Sequence, residues 1–465
     1  MQRKDFIKLA TLAPLSVFAK KLPKQYFLVQ TANVDYYKKG EASYETLRKG
    51  FNKRIDKFPQ VIALCKNTAG VAEAVLYAKQ NKLPIAIKSG GHCMEGFSVN
   101  DNGMVINLSL LNTITWADKE TIIVGPGCKL FQLYDELLPK GRVIPGGSCA
   151  TVAIGGLVLG GGYGLLARKF GLTCDSLLEV TMVDGNGNIV SSKNDAELLW
   201  ACKGGGNGNY GIITELKFKT HAAPRTMQSW RFKTYKTDTA KARAILKTWF
   251  DAAALLPASC FSAYVLNGKT AYILLTNIEK NSAGVNKAIA MLSAVSAKTT
   301  KTSAQPLATA LKVFYGRKEP MYFKNASAGL YKTYAEIEPF INEVITTVQA
   351  TPGMIYQVNT LGGNIANPQK ETEAAFPHRV YPFFSELQTY WETPAQSKRL
   401  LEKFASVQEI FTANGIKAQY RNYPDVNFTN WQLAYYGDNY QRLQQVKKKY
   451  DPDNRINHLQ SIQLP

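Results

Sequence analysis

The sequence predicts a mixed α and β protein of two or three domains. Three observations point there. Its 465 residues exceed one ordinary domain and are ample to bury a large core. Short β-rich runs alternate with stretches of helical apolar spacing, split by Gly- and Pro-containing turns. Apolar residues make up 45% and charged residues 20%, a globular rather than disordered or fibrous composition. No apolar run reaches the roughly 18 residues that a membrane-crossing helix needs, which argues against an integral membrane protein.

Residues 1–19 read as a signal peptide, not as part of the fold. Arg3, Lys4 and Lys8 precede an apolar stretch from Leu9 to Phe18 interrupted by Pro14, and Val17-Phe18-Ala19 has cleavage-site spacing. Arg3-Lys4-x-Phe6-Ile7-Lys8 resembles a bacterial twin-arginine signal with lysine as the second basic residue. That route carries folded cargo, as loading a cofactor before export requires; an ordinary Sec signal is the alternative. The expected location is periplasmic or secreted, in a bacterium.

Residues 20–53 read as a linker into a first domain, 54–222. There Ile62-Ala63-Leu64 is a short strand, and Thr68 opens a helix with Val71, Ala74, Val75 and Ala78 at helical spacing. Leu83 to Lys88 is a second strand ending in the tight turn Ser89-Gly90-Gly91-His92. Val105 to Leu108 and Thr121 to Val124 are further strands. Leu178 to Val183 and Ile189-Val190 form a hairpin around Asp184-Gly185-Asn186-Gly187. Thr220 to Arg225 carries a proline and breaks the pattern. A second domain, 223–419, mixes strands (Phe261 to Leu266, Ala271 to Leu275) with amphipathic helices (Ala240 to Leu255, Val285 to Val295). A last segment, 420–465, ends in a Lys-rich helix (Asn439 to Tyr450) and an Asp451-Pro452-Asp453 turn.

Lys+Arg exceed Asp+Glu by 56 − 35 = +21. The excess fits contact with a polyanion, a membrane surface or an acidic ligand, or simply a basic solvated surface. A basic polyanion-binding protein is thus one reading, but no helix-turn-helix, zinc or RNA-binding motif accompanies the charge, so no nucleic-acid partner and no metal are expected. Seven cysteines in 465 residues are too sparse for a disulfide scaffold, and the odd number leaves at least one unpaired.

Three segments concentrate the chemistry. In Ile87-Lys88-Ser89-Gly90-Gly91-His92, two glycines after a strand let backbone N–H groups converge into an anion nest suited to a diphosphate, with a histidine beside it. From Gly146 to Gly164, eight of nineteen residues are glycine, a stretch able to lie against a flat or polyanionic ligand. It is neither a Walker loop nor a convincing Rossmann fingerprint, because no Gly-Lys-Ser/Thr follows and no suitably placed acidic residue is evident. In Tyr420-Arg421-Asn422-Tyr423-Pro424-Asp425, a strand would put Arg421 and Tyr423 on one face and Tyr420 and Asn422 on the other. Polar and aromatic groups on both faces suit a strand between a cofactor and a substrate.

In this order the three segments resemble the berberine bridge enzyme-like branch of the vanillyl-alcohol-oxidase (PCMH-type FAD-binding) flavoproteins, from about Pro59 to Phe218 and again from Tyr420 to Ile462. Collinear support comes from Asn107-Leu108-Ser109-x-Leu111-Asn112, Leu199-Trp200-Ala201-Cys202-Lys203-Gly204-Gly205-Gly206 and Lys449-Tyr450-Asp451-Pro452-x-Asn454. The resemblance implies an α+β fold: a two-subdomain PCMH-type FAD-binding domain, plus a substrate domain with an antiparallel sheet and flanking helices, and a C-terminal return. It implies FAD held by two covalent bonds, 8α-histidyl at His92 and 6-S-cysteinyl at Cys149. Further cofactor contacts are expected from Lys88, Ser89, Gly90, Gly91, Cys93, Ser98, Gly147, Ser148, Thr151, Val152, Gly155, Gly156, Gly162, Tyr163, Gly164, Ile213, Tyr420 and Asn422. Cys93 departs from the family pattern, where Ser or Asp is expected. Cys93 as the attaching thiol, a Cys93–Cys149 disulfide, and attachment through His92 alone therefore stand as alternatives.

The resemblance implies hydride transfer from an alcohol C–H to the flavin, with Tyr423 as the base. Ionising a free phenol at pH 7 costs about 4 kcal/mol, so a cation is needed. Arg421, on the same expected face, either tunes Tyr423, contacts an acidic substrate group, or points to solvent. Val152 falls where relatives gate oxygen, and a small side chain there favours O2 as acceptor, with peroxide as product. The expected substrate is a small molecule, a sugar, oligosaccharide or similar alcohol; an aromatic alcohol or other secondary metabolite is the alternative. The many aromatics of 223–419, Trp230, Tyr322, Phe384 and Tyr390 among them, are either sugar-stacking surfaces or core. Monomer and dimer are both compatible with the sequence.

Overall fold

The structure, a computed structural model, describes residues 30–465; the signal-peptide reading lies outside these residues. An N-terminal lobe is built on two sheets. In the first, strands Val61–Cys65, Met104–Asn107 and Ile85–Lys88 run parallel, and Val34–Tyr37 pairs antiparallel at the edge. Both faces are covered, so Val61, Ile62 and Ala63 are buried in succession. The crossover helix Thr68–Gln80 is capped by Asn67, whose side chain accepts from the Gly70 N–H, and it buries Val71, Ala74, Val75 and Ala78. The linker reading of 20–53 is corrected here: residues 34–37 are a strand of this sheet, and Tyr44–Arg48 is a helix. Four residues, Val-Asp-Tyr-Tyr, are too few to display a period.

The second sheet is antiparallel, in the order Ile114–Trp116, Thr121–Val124, Gly211–Lys219, Leu177–Asp184, Ile189–Ser191. It contains the expected hairpin. The break at 220–225 hides a two-residue strand, His221–Ala222, paired with Arg142–Val143 before Pro224 ends it.

Residues 226–391 supply the large antiparallel sheet, in the order Lys298–Lys301, Thr226–Thr234, Thr270–Asn277, Cys260–Asn267, Met354–Thr360, Phe383–Trp391, Tyr322–Tyr331. One face packs its apolar residues, such as Tyr264, Tyr356, Val358 and Leu387, on helices Thr239–Ala253, Ile341–Ala350 and Ser397–Ala413. The alternate residues of the last three strands face the N-terminal lobe. A register shift between Ser327 and Gly329 bulges the Tyr322–Tyr331 strand. There Ser327 N–H donates to Tyr423 O (2.8 Å), and Ser327 Oγ accepts from Tyr420 N–H (3.0 Å).

Residues 420–425 are accordingly a turn-rich loop hung on this bulge, not a strand; Tyr423 N–H returns to Tyr420 O (3.0 Å). The expected alternation of faces does not hold. The C-terminal return is pinned by Lys447, whose buried ammonium donates to Asp451 Oδ2 (2.5 Å), Asn209 O (2.8 Å) and Ile456 O (2.6 Å).

Three segments meet at one buried cation. Lys324 Nζ on the large sheet donates to Glu95 Oε1 (2.8 Å) of the N-terminal lobe and to Asp425 Oδ1 (2.7 Å) of the loop. Arg54 Nη2 holds the other Glu95 oxygen (3.0 Å). Lys324→Met would leave two buried carboxylates short of their cation. Loss of about 3–5 kcal/mol of stability is expected, measured by denaturant unfolding; an unchanged midpoint would contradict the role assigned to this contact.

Candidate active site

A cavity of about 430 Å3 lies between the N-terminal lobe and the polar face of the large sheet. The turn Ser89–His92 forms one wall. Gly91 has φ +70°, the left-handed region that glycine favours. Gly90 abuts the second glycine segment so closely that a Cβ would lie 2.7 Å from Ala153 N. Gly147, Ser148, Cys149, Val152, Gly155 and Gly156 form the adjoining wall, with Cys93, Ser98 and Ile213 alongside. The loop 420–423 closes the site, and Tyr163 faces the same space.

Four expected contact residues do not line the cavity. Lys88 turns away, its ammonium donating to Leu47 O (2.6 Å) and Lys49 O; burial lowers its pKa to about 8. Thr151 acts through His92 instead of lining the space, Oγ1 lying 3.0 Å from Nε2. Gly162 donates its N–H to Tyr420 Oη (3.1 Å), and Gly164 lets the backbone approach Gly146 O. Asn422 Nδ2 donates to Leu157 O (2.9 Å) and Tyr420 Oη (3.2 Å), which fixes the loop against the glycine segment.

His92 stacks on Phe51 with ring centroids 4.4 Å apart. Burial, with help from the Lys129 charge, lowers its pKa to about 4, so the imidazole is neutral at ordinary pH. With Nε2 engaged by Thr151, Nδ1 has no partner among the described residues. The Cys149 thiol opens onto the cavity but is enclosed on its flanks; burial and then the Glu386 charge push its pKa up. All seven cysteines are free thiols, so the Cys93–Cys149 disulfide is not formed; Cys93 Sγ accepts from Phe97 N–H (3.3 Å).

Of the opposite wall, sequence reasoning singled out only Tyr390 and missed the rest. Phe323 and Asn325, Gln357, and Glu386, Gln388 and Tyr390 come from three adjacent strands and face the cavity. Glu386 is buried, its Oε2 accepting from Asn325 Nδ2 (3.0 Å) and its Oε1 from Asn359 Nδ2 (3.1 Å). Tyr390 Oη donates to Gln388 Oε1 (2.8 Å). Burial raises the Glu386 pKa against the pull of these amides. The signal was present: alternate positions in Phe384-Ser385-Glu386-Leu387-Gln388-Thr389-Tyr390 read as a half-polar strand.

Tyr423 stacks on Phe384 (5.4 Å). Burial first, and the Glu386 charge next, hold its pKa well above 10. Of the alternatives for Arg421, tuning of Tyr423 is not seen: the charge that acts most strongly on the phenol is the negative one of Glu386. Without strand geometry the Arg421 guanidinium is directed elsewhere, Nε donating to Tyr436 Oη (2.8 Å), and it is 2% exposed, not solvated. Of the middle-region aromatics, Trp230, Tyr264, Tyr356, Phe376, Phe383 and Trp391 are core, whereas Tyr390 lines the cavity.

A glycine-walled cavity with a neutral histidine, a free thiol, a buried phenol and a buried carboxylate fits a flavin site for oxidation and reduction. Residues 59–193 match the FAD binding domain family, and residues 419–463 match the berberine and berberine-like family. The chain belongs to the berberine bridge enzyme-like FAD-linked oxidoreductases and is an enzyme of that class. It is 30% identical to FAD-linked oxidoreductase YgaK of Bacillus subtilis (strain 168), over 91% of this chain and 95% of that one. It is 27% identical to the chitooligosaccharide oxidase of Gibberella zeae, over 91% of each. The solved structure of aclacinomycin oxidoreductase superposes with a TM-score of 0.84 at 26% identity, covering 93% of this chain and 100% of that one. The α+β, two-domain architecture is thereby shared. No helix among the described residues is long and apolar enough to cross a membrane.

The residues fit FAD on the structure's own terms. A Cβ built on Gly156, in helix Ile154–Leu159, meets no protein atom within 4 Å and points into open space at the cavity wall. Gly156→Leu is therefore expected to fold and even to gain up to about 1 kcal/mol in helix propensity, yet to lose its flavin. The visible flavin absorbance relative to protein, read beside the melting temperature, checks both halves.

Proposed function

We propose that this enzyme oxidises an alcohol carbon of a carbohydrate, a mono- or oligosaccharide, with O2 as the acceptor and hydrogen peroxide as the second product. The observation that carries this is the polar wall: Asn325, Gln357 and Gln388 offer neutral amide donors and acceptors beside Tyr390, a surface suited to ranked hydroxyls and a sugar face. Its similarity to a chitooligosaccharide oxidase supports the same reading. Phe51, Phe323 and Tyr390 also give the cavity an aromatic side, and with the likeness to aclacinomycin oxidoreductase this favours a second reading, an aromatic or glycosylated secondary-metabolite alcohol. A peroxide-coupled screen over sugars, uronic acids and aromatic alcohols separates the two; turnover of aromatic alcohols alone would reject the carbohydrate reading.

FAD, when bound, supplies the acceptor for a hydride leaving the alcohol carbon. His92 through Nδ1 and Cys149 through Sγ are the proposed attachment points, and Val152, small and at the cavity wall, leaves room for O2. Export through the 1–19 signal would place the enzyme outside the cytoplasm. Tyr423 and Glu386 act as one proton-accepting unit. The phenol is neutral in its buried setting, and Glu386, the more readily ionised of the two, is the member able to hold the proton released. A substrate hydroxyl gives its proton to Tyr423 as Glu386 accommodates the displaced one. Arg421 stays outside this unit.

Intact-mass measurement of the purified chain should show one added FAD that survives acid denaturation, and still one in Cys149→Ala through His92. An unmodified mass in the wild type would end the covalent proposal. Tyr423→Phe and Glu386→Gln should each retain flavin but slow its anaerobic reduction by substrate by on the order of 100-fold or more. The base must be ionised, so kcat/KM rises with pH through the raised Glu386 pKa. This acid limb should sit above the usual carboxylate range and vanish in Glu386→Gln.

A further inference from the structure

We infer that Arg421 is a cofactor-binding cation: its guanidinium takes an anionic oxygen of the bound FAD. A buried guanidinium ordinarily carries a carboxylate partner, as Arg379 does with Asp175 Oδ1 (2.7 Å). Arg421 is equally buried, and among the described residues no carboxylate lies within salt-bridge distance of it. Its matched hydrogen bond is Nε to Tyr436 Oη (2.8 Å). Phe97 and Tyr435 offer it only their ring faces, 5.9 Å and 5.5 Å from the guanidinium carbon.

The remaining contact makes the need for a partner sharper. Arg421 Nη2 lies 3.3 Å from His458 Nε2. His458 Nδ1 accepts the Gln460 backbone N–H (3.2 Å), so Nδ1 carries no proton. In the neutral ring the proton is then on Nε2, which donates to Asn207 O (3.2 Å). The guanidinium therefore faces an N–H, donor against donor, and that edge of Arg421 is unspent. Phe97, stacked on His458 with centroids 4.4 Å apart, holds the imidazole in this orientation.

Arg421 and His458 both line the cavity. The groups around Arg421, Phe97, Asn207, Tyr436 and His458, come from the N-terminal lobe and the C-terminal return. None comes from the strands that carry Asn325, Gln357, Glu386 and Gln388. Phe97 and Ser98 lie five and six residues beyond His92, on the chain that leaves the Gly90-Gly91-His92 turn. The free edge of the guanidinium thus belongs to the cofactor's side of the cavity. The anionic oxygen it meets is supplied either by the diphosphate or by the isoalloxazine ring when that ring takes up electrons.

The test uses the holoprotein with Arg421→Met and Arg421→Lys, whether or not the flavin is covalently attached. Flavin-to-protein ratio and flavin midpoint potential are both read, with the melting curve as the check on folding. A diphosphate contact predicts that Met lowers flavin incorporation severalfold while the flavin that remains keeps its potential. A ring contact predicts full incorporation with a lowered potential; tenfold less stabilisation of the reduced form reads as about 30 mV for a two-electron couple. In both cases Lys, which keeps the charge, recovers most of the effect. Should Arg421→Met not melt cooperatively, Arg421→Gln, an amide without the charge, is read in its place. Wild-type incorporation together with wild-type potential would overturn the inference, as would a change confined to KM for acidic substrates.

Discussion

One ammonium group holds the molecule's three parts in register. Lys324 Nζ sits between Glu95 and Asp425, in surroundings from which water is excluded. Glu95 lies three residues beyond His92, and Asp425 two residues beyond Tyr423. The ion pair thus spans the segment expected to grip the cofactor and the segment expected to move a proton, from a strand that itself carries the polar wall. Such a buried triad is costly in desolvation and adds little net stability over an apolar substitute, but it tolerates very few arrangements. Its value here is positional: misdocked lobes would strand a buried charge.

The cavity has two walls of opposite chemistry. The N-terminal wall is backbone, because glycines remove side chains and leave amides and free space. The sheet wall is side chain, with amides, a carboxylate and a phenol presented every second residue. Neither wall is a complete site. A flat cofactor fits the first and a hydroxyl-bearing ligand the second, and the loop 420–425 lies where both can be reached. The electrostatics follow the same division. Arg421, with no carboxylate partner among the described residues, stands with the N-terminal wall, and Glu386, the charge acting most strongly on Tyr423, stands on the sheet wall.

Much of the N-terminal lobe was legible in the sequence because its signals are local. The helix at Thr68 shows its apolar spacing, the hairpin its Asp-Gly-Asn-Gly turn, and the turn before His92 its paired glycines after a strand. The strand at 34–37 was not, being too short to carry a period. The loop 420–425 was misread because alternating polar and aromatic residues imitate a strand, whereas its backbone is fixed by Ser327, nearly a hundred residues earlier in the chain. Glu386 escaped notice because the half-polar pattern of its strand does not say which residues two other strands will bring to it, here Asn325 and Asn359. Where the Arg421 guanidinium points was not legible, since its direction depends on the fold of its own loop, which turns it to Tyr436.

The bulge at Ser327 has a consequence for how such an enzyme diversifies. Tyr420 and Tyr423 hang by their backbones from the same strand whose neighbouring residues, Phe323 and Asn325, line the cavity. Recognition and reactivity are thus geared together mechanically. A substitution that only exchanges a side chain on this strand can reshape the cavity wall, but an insertion or a slipped pairing there would displace Tyr423, the proposed proton acceptor. New specificities are cheapest at Gln388 and Gln357, one and two strands removed from the gear, where the cavity wall can be changed without moving Tyr423.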